Sequence, residues 1–121
     1  MLNPNAGKSI FVQIASFRDS ELLPTLHDMI DKANEPEHLK ICICWQHSEE
    51  DEWDHLMEFK GDDRFIIIDV DAKDSKGVCW ARNLIQQEYD GEDFTLQLDS
   101  HHRFVDCWDT MMKNQILQLQ L

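Results

Sequence analysis

Hydrophobic residues along this chain form four short runs that predict β-strands, with the spacing of amphipathic helices between them. The predicted strands are residues 10–16, 39–45, 65–69 and 94–98. Helical spacing follows the first strand, resumes at Val78 and returns near Val105. This β-α-β-(α)-β-α-β-α order predicts an α/β fold in which helices flank a mostly parallel sheet, and it fits one domain over residues 1–121.

The pattern within each run also predicts which residues are buried. In the first helix Leu22, Leu26 and Met29 recur at helical spacing, and Asp19 or Ser20 can cap its start. The continuous apolar run at 64–70 is typical of a strand covered on both sides. Residues 46–60 fit either a short helix or a surface excursion, and the alternating residues 116–121 fit a helix or a strand.

The strand at 94–98 is the most informative run, and we expect it to be the central strand. Phe94, Leu96 and Leu98 alternate with polar residues, and Asp99 and His101 follow directly in a loop. Ligands of open α/β sheets bind beyond the carboxyl ends of the strands, and a carboxylate with an imidazole suits a divalent ion such as Mn²⁺. The alternative is an exposed loop in which the aspartate caps the next helix and the histidines are solvated.

Composition limits the classes of partner. The 121 residues carry 11 basic and 24 acidic side chains, a net charge of −13. This acidity argues against binding to nucleic acids and to anionic membranes. Residues 1–9 lack the apolar run of a secretory signal, and no stretch approaches membrane-spanning length. The four cysteines form no C-x-x-C pair, so we expect reduced thiols in a cytoplasmic protein.

Three blocks in order resemble a known family: IASFRD at 14–19, CWARN at 79–83 and LQLDSHHRFVDCWD at 96–109. They look like the nucleotide-binding, N-terminal half of GlcNAc transferases that act on polypeptide hydroxyls, a family that includes a cytoplasmic enzyme. A more distant likeness is to the polypeptide GalNAc transferases, which also carry Asp-Ser-His at this point. The resemblance implies a GT-A fold and a metal-dependent glycosyltransferase that uses a UDP-sugar, with transfer to a protein or glycan hydroxyl and retention of anomeric configuration.

The resemblance also implies roles for particular residues. Asp99 and His101 correspond to the pair that binds Mn²⁺ or Mg²⁺, and Arg82 corresponds to an arginine that helps bind the nucleotide. The loop that would hold uridine comprises Ser16, Phe17, Arg18 and Asp19. Competing interpretations are that Arg18 pairs with Glu21 at the surface and that Arg82 lies on the polar face of its helix.

These families take a further metal ligand, the acceptor groove and other catalytic groups from a C-terminal half. The 121 residues correspond only to the first half, so we expect an apparently truncated domain and assign no catalytic residue. We also expect apolar surface around Trp108, Met111, Met112 and the Leu117–Leu121 tail, which favours a homo-oligomer. The alternatives are an inactive remnant that acts as a binding module, and a receiver-like signalling domain with Asp69 as phosphoacceptor.

Overall fold

A computed structural model describes residues 5–120, with the side chains of 117–120 excepted. Among these residues the chain forms one four-stranded parallel sheet, in the order β3-β2-β1-β4. The strands are β1 (Ile10–Phe17), β2 (Leu39–His47), β3 (Phe65–Asp71) and β4 (Phe94–Asp99). The helices are α1 (Leu22–Lys32), α2 (Val78–Gln86) and α3 (Trp108–Gln120). The predicted α/β class and the four predicted strands are confirmed.

The strand order identifies the type of parallel sheet. The order 3-2-1-4 is that of the first four strands of the dinucleotide-binding fold, whereas a receiver-like sheet places its third strand beside its first. Here β3 pairs with β2, so the sheet does not have receiver topology. The expectation that residues 94–98 form the central strand is wrong, because in the described part of the chain β4 pairs only with β1.

One side of the sheet carries the larger core, and we call it the α1 side. Ile10, Val12 and Ile14 of β1 are fully buried there. They pack with residues of α1 and with one face of β2, formed by Leu39, Ile41, Ile43 and Trp45. Helix α1 contributes Leu22, Leu26 and Met29 to the same cluster, as its periodicity predicted. Burial of these branched side chains provides most of the hydrophobic stabilisation.

The opposite side, which we call the α2 side, has a smaller core. Its fully buried members are Phe11, Cys42, Cys44, Ala81 and Ile85. The alternate residues of β4 on this side, Thr95, Gln97 and Asp99, are exposed. Both faces of β3 pack against core residues, as predicted, with Phe65 and Ile67 on the α1 side and Ile66, Ile68 and Val70 on the α2 side. The strand lies at the sheet edge and is mostly half-buried.

Several predicted boundaries differ from the structure. Residues 46 and 47 belong to β2, and residues 48–60 form an excursion with a single 3₁₀ turn, Met57–Phe59, from which Leu56 and Phe59 pack into the larger core. Helix α3 begins at Trp108, so the predicted start near Val105 is wrong, and Val105 is exposed. Residues 116–120 continue α3 and do not form a strand.

Helix α3 lies against α1 through more than apolar contacts. Trp108 is buried and its indole donates to the Met29 carbonyl at 2.9 Å. Lys113 is also buried, and its ammonium donates to the carbonyl of Lys8, which lies just before the amino end of β1. Of the residues predicted to form an apolar surface, Trp108 is covered and Met111 is half-exposed. The side chains of the Leu117–Leu121 tail lie outside the described residues. No helix in the described range is long and apolar enough to cross a membrane.

Candidate functional site

The carboxyl ends of β1 and β4 form a topological switch point. The chain leaves β1 towards β2 and β3 on one side, and later returns to place β4 on the other side of β1. Ala15 is the register partner of Asp99, so the loops that follow the two strands begin side by side. Switch points of this kind are where open α/β sheets bind ligands. Ser16 and Asp99 therefore lie at the same edge of the sheet.

The segment after β4 is held to α1 by hydrogen bonds. The fully buried Thr25 hydroxyl donates to the Ser100 carbonyl at 3.0 Å and accepts from the His102 N–H at 2.9 Å. Asp28, one turn later, accepts from the Phe104 N–H at 2.6 Å. The Cys107 N–H then donates to the Lys32 carbonyl at 2.7 Å. The loop that carries Asp99 and His101 is therefore fixed on one side by the helix that follows β1.

Asp19 connects the two loops of the switch point. Its Oδ2 accepts from the Ser100 hydroxyl at 2.5 Å and lies 2.9 Å from His101 Nδ1. Its Oδ1 accepts from the Glu21 N–H at 2.9 Å at the start of α1, where Glu21 holds the N-cap position. Burial opposes ionisation of Asp19, but these hydrogen bonds outweigh it and lower its pKa. Because an ionised carboxylate only accepts, the His101 Nδ1 carries the proton.

Asp99 and His101 both present open donor atoms. Asp99 is exposed at the end of β4, and no described residue donates a hydrogen bond to its carboxylate. His101 is 64% exposed and uses only Nδ1, so Nε2 faces no partner in the described structure. The hydrogen bond that His101 donates to Asp19 also raises the pKa of His101. The two predicted metal ligands thus lie at one end of one strand with an oxygen and a nitrogen available.

Arg18 is held by two carboxylates of the excursion after β2. Its Nε donates to Asp51 Oδ2 at 2.6 Å and its Nη2 to Asp51 Oδ1 at 2.9 Å, a bidentate pair. Nη2 also contacts Glu50 at 3.3 Å. The predicted pairing with Glu21 is wrong, because Glu21 bonds Arg103 instead. Arg18 has φ of 44°, a left-handed conformation uncommon outside glycine, and it turns the side chain towards the excursion.

Arg82 lies on the α2 side beneath Asp99. With the Gln97 amide turned so that its oxygen faces the guanidinium, Arg82 donates to it from Nε at 3.0 Å and from Nη2 at 3.2 Å. Gln97 and Asp99 are two residues apart in β4 and therefore share a face. Unlike Arg18, Arg82 has a neutral partner, so its positive charge is not cancelled by the contact.

Two cavities open at the carboxyl edge, and Phe17 lines both. One, of about 540 Å³, lies beside Arg18 and is bordered by Glu49, Glu50 and Asp71. The other, of about 300 Å³, lies on the α2 side between Ala15, Gln46 and the Gly77–Val78 start of α2. Phe17 is 54% exposed, and Ser16 is fully buried with its hydroxyl unpaired among the described residues. The structure therefore gives Phe17, but not the Ser16 side chain, access to a ligand.

The sequence did not single out the residues that hold these groups. Asp51, Gln97 and Thr25 make the contacts to Arg18, Arg82 and the Asp99 loop described above. Asp51 lies in an excursion with no periodicity, and Thr25 sits in an otherwise ordinary amphipathic helix. Only Gln97 carried a signal, since it shares a strand face with Asp99.

Comparison with known proteins adds a family assignment to this geometry. A family described as "Glycosyltransferase (GlcNAc)" matches the chain in two overlapping segments, residues 9–62 and 53–121. No curated protein matches the chain. The matched segments include both loops of the switch point, Arg82 and the whole of the described sheet.

Proposed function

The chain belongs to the glycosyltransferase (GlcNAc) family, and from that premise we propose that it binds UDP-GlcNAc, with a divalent cation, as the donor half of a GT-A enzyme. The acceptor would be a hydroxyl group of a protein or glycan, and transfer would retain the anomeric configuration. The observation that carries the proposal is the placement of Asp99 and His101 at the switch point, with unpaired donor atoms in the described structure. The catalytic residue stays unassigned.

The donor atoms at this loop suit a divalent ion. Carboxylate oxygen and imidazole nitrogen are ligands for Mn²⁺, and Mg²⁺ is commonly held by one or two carboxylates together with substrate phosphates. Asp99 and His101 would hold the ion, and its remaining positions would be left for water and the diphosphate. A bound ion would neutralise charge on the departing UDP. The acidic chain makes such a bridge more necessary, because its net charge of −13 repels free nucleotide.

The cavity on the α2 side fits the nucleotide better than the larger one. Its border includes Ala15, the register partner of Asp99, and the first turn of α2, which has no side-chain cap. Free N–H groups at a helix start favour phosphate. The larger cavity is bordered by three carboxylates and by two cations, Arg18 and Lys73. Because Arg18 is already paired with Asp51, the net charge around this cavity is negative and disfavours a diphosphate. We therefore place uracil against the exposed ring of Phe17, and the phosphates towards Asp99, with Arg82 next to them.

Titration calorimetry with UDP tests the site directly. With two protein ligands to the ion we expect a Kd on the order of 0.1–1 mM in Mn²⁺, about 4–5.5 kcal/mol, and no measurable binding with a chelator. Asp99→Ala should abolish the stimulation by Mn²⁺. Asp31→Ala, which removes an exposed carboxylate from α1, is the matched control and should bind as the wild type does. Equal binding with Mn²⁺ and with chelator would refute the metal-dependent site.

The alternative of a binding module without turnover is separated by a second assay. An active chain should transfer GlcNAc from UDP-GlcNAc to water or to an acceptor hydroxyl, and so release UDP, in a metal-dependent reaction. A chain that binds UDP with Mn²⁺ but releases none from UDP-GlcNAc would be a donor-binding module.

A further inference from the structure

We propose that Asp19 is a positioning residue that holds His101 in one tautomer, so that His101 Nε2 is presented to the metal alongside the Asp99 carboxylate. This inference rests on the proposed function and assigns Asp19 a role other than contact with uridine. The group that does the positioning comes from the loop after β1, and the group it positions comes from the loop after β4.

The first support is the geometry of the carboxylate. Asp19 Oδ2 lies 2.9 Å from His101 Nδ1, within hydrogen-bond distance, and Nε2 has no partner in the described structure. A ligating histidine commonly donates its other ring N–H to a carboxylate, which fixes the ring orientation and raises the basicity of the ligating nitrogen. His101 has this arrangement before any ion binds.

The second support is that Asp19 has little capacity left for a ligand. It already accepts from the Ser100 hydroxyl, the Glu21 N–H and His101, and its side chain is only 18% exposed. These three partners hold both carboxylate oxygens in place. A residue held in this way is suited to orient a neighbour and poorly suited to accept a hydrogen bond from uracil or ribose.

The third support is the rigidity of the loop that carries the histidine. Ser100 is 6% exposed, its carbonyl accepts from Thr25, and its hydroxyl shares Asp19 Oδ2 with His101. His101 therefore extends from a backbone fixed to α1 towards solvent, and the Asp19 contact fixes the ring as well. A preset ligand loses less rotational freedom when an ion binds.

The first test needs no metal. Nitrogen-15 NMR of the imidazole, recorded at a pH where the ring is neutral and assigned with His101→Gln, reports which nitrogen carries the proton. We expect the Nδ1–H tautomer in the wild type and a shift towards Nε2–H in Asp19→Ala. A neutral wild-type ring that carries its proton on Nε2 would overturn the inference, whatever the protein does with metal.

The second test measures Mn²⁺ affinity from the electron paramagnetic resonance signal of the free ion. Asp19→Ala should weaken binding about 10- to 100-fold, Asp19→Asn should weaken it less, and Asp31→Ala should not change it. If the wild type binds Mn²⁺ and Asp19→Ala binds it equally well, the inference fails and the metal site stands. If the wild type binds no Mn²⁺ with or without UDP, the proposed metal site fails and the inference with it.

Discussion

The two sides of the sheet differ in what their residues do. On the α1 side, three consecutive inward residues of β1 are completely buried under α1 and the segment that follows β4. On the α2 side the buried core is small, and the residues of β4 that face this side are polar and exposed. Asp99, Arg82 and the smaller cavity all lie on the α2 side. The α1 side thus holds most of the buried core, whereas the α2 side keeps polar groups exposed to solvent.

The separation has a physical reason in the course of the chain. After β4 the backbone runs along α1 and is hydrogen-bonded to it through Thr25, Asp28 and Lys32. The α1 side is therefore covered by two segments, α1 itself and the segment that follows β4. The α2 side receives one nine-residue helix, which packs mainly against β1 and β2. Polar residues in β4 on that side are stable because they remain in contact with solvent.

The largest expected difference between the sides is in stability. Leu26→Ala on α1 removes a fully buried side chain from the larger core and should lower the free energy of unfolding by about 2–5 kcal/mol. Leu84→Ala on α2 makes the same chemical change at a half-buried position and should cost about 1–2 kcal/mol. Urea denaturation monitored by circular dichroism measures both. Equal losses would show that the α2 side contributes as much to stability as the α1 side.

The next largest expected effect is on ligand binding. Here a substitution on the α2 side should have the large effect, although it should change stability little. Arg82→Ala should weaken UDP binding in Mn²⁺ by about 1.5–3 kcal/mol, roughly 10- to 100-fold, because a charge-assisted contact to phosphate is lost. Its unfolding free energy should change little, since its partner is the exposed Gln97 amide. NMR titration with UDP gives the affinity. Arg64→Ala, which removes an arginine that pairs with Asp62 at the opposite edge, is the control.

A smaller effect is expected from acid on the α1 side. The Phe104 N–H, aided by Lys32 and Arg103, holds the pKa of Asp28 below its ordinary value despite partial burial. A lowered folded-state pKa contributes stability above the ordinary aspartate pKa of about 4, and this contribution is lost as pH falls through the folded value. Asp28→Asn should therefore be less stable than wild type at pH 7, and the gap should narrow at low pH.

Denaturation of both proteins at several pH values measures that gap. Asp31→Asn, which changes an exposed carboxylate on the same helix, should follow the wild type throughout. A gap between Asp28→Asn and wild type that stays constant down to the most acid pH would contradict the role assigned to the Asp28 carboxylate.

The smallest effect tests whether the thin core of the α2 side is sealed. Cys42 and Cys44 are buried between β2 and α2, and burial raises the pKa of Cys42 to about 12 and raises that of Cys44. Cys79 and Cys107 are exposed. Mass spectrometry after iodoacetamide treatment should therefore find two thiols modified in the native protein and all four in urea. Rapid modification of Cys42 or Cys44 would show that α2 opens.

The comparison also explains which predictions from sequence succeeded. Alternation in Phe94–Asp99 predicted both the strand and its half-exposed face, because a strand places successive side chains on opposite faces whatever its neighbours are. It could not predict that β4 lies at the edge, since position in a sheet depends on which strands pair. Likewise the apolar run at 64–70 predicted that both faces of β3 are covered, which the structure confirms, but it could not predict that β3 pairs with β2 alone among the described strands.

The candidate site shows the same division. The predicted metal pair and the loop after β1 come to one edge because parallel strands share their carboxyl ends, which the order of elements determines. Helical spacing alone predicts an exposed side chain for Lys113, yet Lys113 is buried, with its ammonium against the Lys8 carbonyl and near Glu35. Its burial depends on how α3 crosses the amino edge, and helical periodicity contains no information about that crossing.

The amino-acid sequence alone was enough to predict the four strands, their parallel direction and the loop that ends β4, and it establishes the acidic net charge. These features follow from local periodicity and composition. Only the tertiary structure decided that Asp19 bonds His101, 82 residues away, and that Asp51 bonds Arg18, 33 residues away. The reason is that a carboxylate accepts from any donor that the fold brings near it, and the partner is chosen by the path of the backbone between them.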